Sequence, residues 1–174
     1  MKIIFRLIPQ TLSNSGERIA IGRFTPAVEA DGVSATANTY GLSPLTCVCS
    51  ALGYDHSMVS KASTRANRFK KIATLNGLKP KLILVPKTNG SSEIENLTDQ
   101  LIEAASEANI QTLNFTHYGF VKDKLPTHEI IQVLHSMKKW RALTALKTII
   151  WDIDRRHIEE MKTLEEYMQR NSRV

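Results

Sequence analysis

The chain has 174 residues, 42% hydrophobic and 23% charged: one domain's length, with enough apolar material for a core and too much for a disordered chain. No apolar run approaches the ~18 residues of a membrane span, and Lys2 and Arg6 interrupt the apolar start, so a cytoplasmic protein with no membrane partner is expected. The net charge is +6, yet eight basic residues (Lys61, Arg65, Arg68, Lys70, Lys71, Lys79, Lys81 and Lys87) fall between His56 and Ser92 with no acidic residue among them, leaving 15 basic and 17 acidic residues elsewhere.

In chain order, Met1 to Ile8 and Arg18 to Phe24 read as strands around a turn cluster, Ser13 to Gly16. Val33 to Ala37 is a weaker strand candidate. Ser57 to Leu75 reads as a helix with Met58, Ala62, Phe69 and Ala73 on its apolar side and Asn76-Gly77 as its stop. At ~100° per residue, Lys61, Arg65 and Arg68 fall within ~60° of one another. With Lys71 they make a basic patch: a solvated face, or a contact surface for nucleic acid or an acidic protein.

Lys81 to Pro86 is a buried strand ended by proline. Ser92 and Glu95 have capping-box spacing ahead of a helix carrying Ile94, Leu97, Leu101, Ala105 and Ala108. Ile110 to Phe115 is the next strand, and Pro126 opens a helix with Ile130, Leu134 and Met137. Lys147 to Asp154 is a strand, and Ile158, Met161, Leu164 and Met168 mark a last helix. This alternation predicts parallel strands joined by right-handed crossovers, an α/β layered domain. Ligands in such sheets sit at the strand carboxyl ends, here after Pro86, Phe115 and Ile153.

Few residues advertise chemistry. Cys47 and Cys49 are too close for an ordinary disulfide and too few for a zinc site, so they read as small buried residues. The five histidines lack ligand spacing, and no phosphate loop or nucleophile elbow is present, so neither metal nor cofactor is expected. His117 is the best-placed general acid or base, although no partner is evident. Asn38 is a turn residue or a ribose contact, and Tyr40, Tyr118 and Phe120 either stack a base or plug a pocket. Asp152 and Asp154 share one sheet face and are an acid/base or metal pair or, for Asp154, a helix cap. Arg23, Arg155 and Arg156 are possible phosphate contacts, and Thr88 to Gly90 is an amide-rich loop. The Asn-x-Ser/Thr sequences at Asn89, Asn96 and Asn114 carry no meaning in a cytosolic protein.

The order of elements resembles a macro domain. Gly22 to Thr25 is similar to that family's G-D-I-T, and Asp31 to Asn38 to its D-A-I-V-N-A-A-N. Phe115 to Phe120, followed by Leu125-Pro126, stands where its second phosphate loop would be. Arg23 replaces the acidic residue that would read adenine, Ala35 replaces the first asparagine, and Gly119 alone remains of the loop glycines. The resemblance implies one three-layer α/β/α domain over residues 1–174 with a mixed, largely parallel sheet. It also implies a binding module for an ADP-ribose-like nucleotide or other phosphorylated ligand. Asn38, Tyr40, Thr116, His117, Tyr118, Gly119 and Phe120 would then line the cleft, and any catalysis would be ADP-ribosyl hydrolysis. The alternatives are a nucleic-acid or acidic-protein module using the 61–87 segment, and a scaffold whose pocket has closed.

Overall fold

The computed structural model describes residues 2–8, 27, 29–37, 44–87, 93–115, 145–154 and 158–171. Its elements are β1 (Lys2–Ile8), β2 (Gly32–Thr36), α1 (Pro44–Leu52), α2 (His56–Phe69), β3 (Ala73–Leu75), β4 (Lys81–Val85), α3 (Ile94–Glu107), β5 (Thr112–Phe115), β6 (Thr148–Asp154) and α4 (Ile158–Asn171). The strands form one sheet in the order β1-β6-β5-β2-β4-β3. Every pairing is parallel except β3 with β4. The sheet is therefore mixed and largely parallel, as expected.

Apolar residues on both faces of the strands explain why helices cover both sides. Neighbours in register point to the same face, so Ile83, Val85, Leu113, Phe115, Ile149 and Trp151 form one surface. They pack against Leu97, Leu101, Ile102 and Ala105 of α3, with Phe5, Tyr167 and Met168 at the margin. Phe115 meets the Trp151 ring edge-on at 5.0 Å between centroids, a favoured aromatic geometry. On the other face, Val33, Ala35, Ala37, Leu82 and Leu84 pack against Leu45, Val48 and Cys49 of α1 and Val59 and Ala66 of α2.

The amino ends of the strands are tied down locally. The Asp31 carboxylate accepts the backbone N–H groups of Gln111 (3.0 Å) and Thr112 (2.7 Å), joining the starts of β2 and β5. Gly32 follows because Ile110 presses on it: a Cβ there would lie 2.5 Å from Ile110 Cδ1. Lys81 Nζ donates to the carbonyl of Ala108, so a cation sits at the negative end of α3.

Several expectations change. The helix expected over 57–75 is α2 alone. Lys70 adopts a left-handed conformation (φ 51°), its N–H donates to the Ala66 carbonyl, and the chain leaves the helix there. Residues 73–75 form a strand, and Asn76-Gly77 turns the chain back into β4 rather than stopping a helix. The buried side of α2 is Val59, Ser63 and Ala66, whereas Met58 and Phe69 are exposed. Helix α1 was not anticipated. Its signal is present in the sequence: Pro44 opens it with a pre-set φ, and Leu45, Val48, Cys49 and Leu52 recur at helical spacing. The N-cap of α3 is Glu93, whose side chain makes no capping bond, and Ser92 lies outside the described residues. The strand expected at 18–24 and the helix opened by Pro126 also lie outside them. No helix among the described residues is long and apolar enough to cross a membrane.

Candidate functional site

Strands β2 and β5 are neighbours and parallel, so their carboxyl ends lie side by side. The chain leaves them at Ala37 and Phe115, directly ahead of the two segments that carry the expected ligand contacts. Asn38, Tyr40, Thr116, His117, Tyr118, Gly119 and Phe120 themselves lie outside the described residues, as do Arg23, Arg155, Arg156 and Thr88 to Gly90. What the structure supplies is their mounting. Helices α1 and α3 follow β2 and β4 in the chain, each after a segment that leaves a strand carboxyl end. The peptide dipoles of such helices make their amino ends favourable for anions.

Asn67, a residue the sequence did not single out, holds this rim. Its Nδ2 donates to the Ala37 carbonyl (3.1 Å), and its Oδ1 accepts the Lys87 N–H (2.9 Å). One side chain on α2 thus bridges the points where the chain leaves β2 and β4. Lys70 Nζ adds a bond to the Lys87 carbonyl at 3.0 Å. The carboxyl-terminal turn of the basic helix therefore borders the strand ends, while Lys61, Arg65 and Arg68 are exposed along its length and Lys71 just beyond it.

A second polar cluster lies under β1, β6 and β5. Arg6 Nε donates to Asp152 Oδ1 at 2.7 Å and Arg6 Nη2 to Asp152 Oδ2 at 2.8 Å, a bidentate pair. The Asp152 side chain is 0% exposed and that of Arg6 31%. Asn114 completes the group: Nδ2 donates to the Ile150 carbonyl (3.1 Å), while Oδ1 accepts the Ala27 N–H (2.8 Å) and Arg6 Nη2 (3.4 Å). The hydrogen bond to Asp152 holds the Arg6 guanidinium charged. Burial pushes the Asp152 carboxyl upward, and the Arg6 bonds oppose that push.

This corrects the reading of Asp152 as half of an acid/base pair: both carboxylate oxygens are committed to Arg6. Asp154 ends β6, and residues 155–157, between it and the described start of α4 at Ile158, lie outside the described residues. Asn114, noted only within a glycosylation sequence, is a buried structural bridge. The signal that could have found the cluster is one polar residue inside each of three apolar strands, at positions that parallel pairing places on one face.

Cys49 is buried and unpaired, and burial raises its thiol to about 11. Burial likewise raises the Tyr54 hydroxyl to about 12, helped by the charge of Cys49, and Tyr54 donates to the Pro80 carbonyl. Neither residue faces the candidate rim: Cys49 packs in the core under α1, and Tyr54 joins it at the α1–α2 junction. Among the described residues, no three His, Cys, Asp or Glu side chains are grouped to hold a metal ion.

No protein-family profile matches the sequence, and comparison with curated proteins finds no significant match. Solved structures do match. A Trypanosoma brucei macrodomain in complex with ADP-ribose superposes at TM-score 0.57 and 13% identity, over 80% of this chain and 64% of that one, so the match spans less than two thirds of the trypanosomal chain. The macrodomain of Thermus aquaticus DarG matches at TM-score 0.56 and 12% identity, over 86% of this chain and 97% of that one. The macro domain of ganglioside induced differentiation associated protein 2 matches at TM-score 0.62 and 8% identity, over 94% and 82%. With the strand order and two-sided helix packing described above, these matches establish that the chain has the macrodomain fold.

Proposed function

We propose that this protein is a binding module for an ADP-ribose-like nucleotide, seated at the carboxyl ends of β2 and β5 between the segments that begin at Asn38 and Thr116. The observation that carries the reading is the shared fold: solved structures of the trypanosomal macrodomain hold ADP-ribose and ADP. The mounting of the rim supports it. Asn67 fixes the exit of the chain toward Asn38, and two helices begin beyond the strand ends, where a diphosphate would be favoured. Gly119 is the position at which a backbone N–H can approach a phosphate without a side chain in the way. Tyr40, Tyr118 and Phe120 supply stacking surface for the base, and Asn38 a ribose contact. The module spans residues 1–174, and any turnover at this cleft would be ADP-ribosyl hydrolysis.

Calorimetric titration with ADP-ribose, ADP and nucleotide sugars tests this. Binding of ADP-ribose, weakened by Asn38→Ala and by Tyr118→Ala, is the expected result. No heat with any of these ligands overturns the proposal and leaves the closed-pocket scaffold as the better account.

A further inference from the structure

The other end of the sheet carries a different surface. Strand β3 is the edge strand, paired only with β4 among the described residues. An edge strand presents unpaired backbone N–H and C=O groups, which another extended chain can match. A groove of about 520 Å³ runs between this edge and α2, lined by Arg65 and Phe69 of the helix and by residues 71–75. A second groove of similar size flanks the same edge on the α3 side, lined by Glu103 and Glu107 of α3 together with Lys70 and Lys71. Phe69 borders both and is 59% exposed, with the Arg68 guanidinium 5.5 Å from its ring centroid. Phe69 therefore offers an apolar contact surface directly beside this edge.

Charge differs between the two sides: the charged residues lining the α2-side groove are all basic, whereas the α3-side groove sets two carboxylates beside its lysines. Lys61, Arg65 and Lys71 have no ion-pair partner among the described residues, and no acidic residue occurs between His56 and Ser92. From these observations we infer that the open edge of β3 is a docking strand for an extended acidic peptide segment. The segment adds alongside Ala73–Leu75 and lays its carboxylates against Arg65 and Lys71, with an apolar contact on Phe69. The same alternation that builds a strand makes this selective. Successive side chains of the added strand point to opposite faces, so its acidic residues lie on the α2 side while neutral or basic ones face Glu103 and Glu107. A nucleic-acid strand has no such alternation; its phosphates would meet the α3 carboxylates as well as the α2 cations. The β3 backbone, which among the described residues pairs only with β4, also offers a peptide partner hydrogen bonds that a sugar-phosphate chain does not match.

The test uses the full chain and three fluorescent probes: an octapeptide of alternating Glu and Thr, its alternating Lys and Thr counterpart, and a single-stranded oligothymidine. The Glu peptide binds, its affinity falls with salt, and N-methylation of its alternate peptide bonds abolishes binding. The exposed double variant Arg65→Gln, Lys71→Gln weakens it about tenfold. Oligothymidine binding that depends on Arg65 and Lys71 without peptide binding overturns the inference in favour of nucleic acid. Equal binding of the methylated and unmodified peptides overturns it in favour of charge alone, and no peptide binding removes it. None of these outcomes depends on whether ADP-ribose binds.

Discussion

One face of the sheet is built in two ways. Under β2 and β4 it is apolar: Val33, Ala35, Leu82 and Leu84 meet α1 and α2 as close-packed hydrocarbon. Under β5, β6 and β1 the same face holds Arg6, Asp152 and Asn114, an ion pair and an amide in register positions where the other half has leucine and valine. Hydrocarbon packing tolerates exchange if volume is kept, and it does not specify a partner. A bidentate pair and a bridging amide do specify one: they fix β1 against β6 and tie Ala27 to β5. The difference shows how one sheet can take its cohesion from one half and its placement of chain exits from the other.

Breaking the polar half gives the largest expected effect. Arg6→Ala strands a fully buried carboxylate, and removing one partner of a buried pair costs about 3–5 kcal/mol. Replacing both partners together, Arg6→Met with Asp152→Leu, removes the charge as well as its partner and is expected to be neutral to stabilising. Urea denaturation of the single and double variants decides the matter. If Arg6→Ala costs no more than a surface substitution, the cluster does not carry the role assigned to it.

The apolar half has its own weak point, exposed by alkali. Cys49 and Tyr54 are held neutral by burial, with the thiol raised to about 11 and the hydroxyl to about 12. The unfolded chain gives up these protons first. The stability they contribute is therefore complete below the ordinary thiol range and is lost as pH rises through 11 and 12. The loss comes first from Cys49 and then from Tyr54. Denaturation midpoints measured from pH 8 to 11.5 should fall, and Cys49→Ala should flatten the first part of the fall. A flat profile would mean that water reaches the thiol.

The apolar half was the legible one. Lys81 to Val85 declares itself as a strand because an uninterrupted run of Leu, Ile and Val has few other places to go, whereas Val33 to Ala37, with Ser34 and Thr36 between its apolar residues, carries a weaker signal. The boundary of α2 was not legible, because a lysine in a left-handed conformation carries no mark of it in sequence, whereas glycine would have. The polar half was invisible for a different reason. Arg6, Asn114 and Asp152 lie more than 100 positions apart in two of their three pairings, and only the strand order brings them into contact. Asn67 was missed likewise, because its partners are backbone atoms, which leave no signature in residue type.

Asn67 links the apolar half to the candidate rim, and Asn67→Ala sharpens the comparison there. It removes the bonds to the Ala37 carbonyl and the Lys87 N–H, each worth about 1 kcal/mol net. A loss of about 1–2 kcal/mol in stability is expected. The informative readout is the nucleotide titration, because loosening the exit toward Asn38 should weaken ADP-ribose binding by more than an Ala substitution elsewhere on α2 does. Equal effects from Asn67→Ala and Ser60→Ala would make Asn67 a stabilising contact with no part in the site.

The smallest effect tests whether the apolar half is as dry as its packing implies. Ser63 is 0% exposed on the inner side of α2, and its hydroxyl has no hydrogen-bond partner among the described residues. A buried hydroxyl without a partner is a cost the fold carries, in contrast with the fully bonded carboxylate of Asp152. Ser63→Ala removes that oxygen, leaves the Cβ in place and improves helix propensity. A gain of up to about 1 kcal/mol is expected, read as a rise in the urea midpoint at constant slope. A loss instead would mean that the hydroxyl holds a buried water between α2 and the sheet, and that this half of the face, too, contains a polar tie.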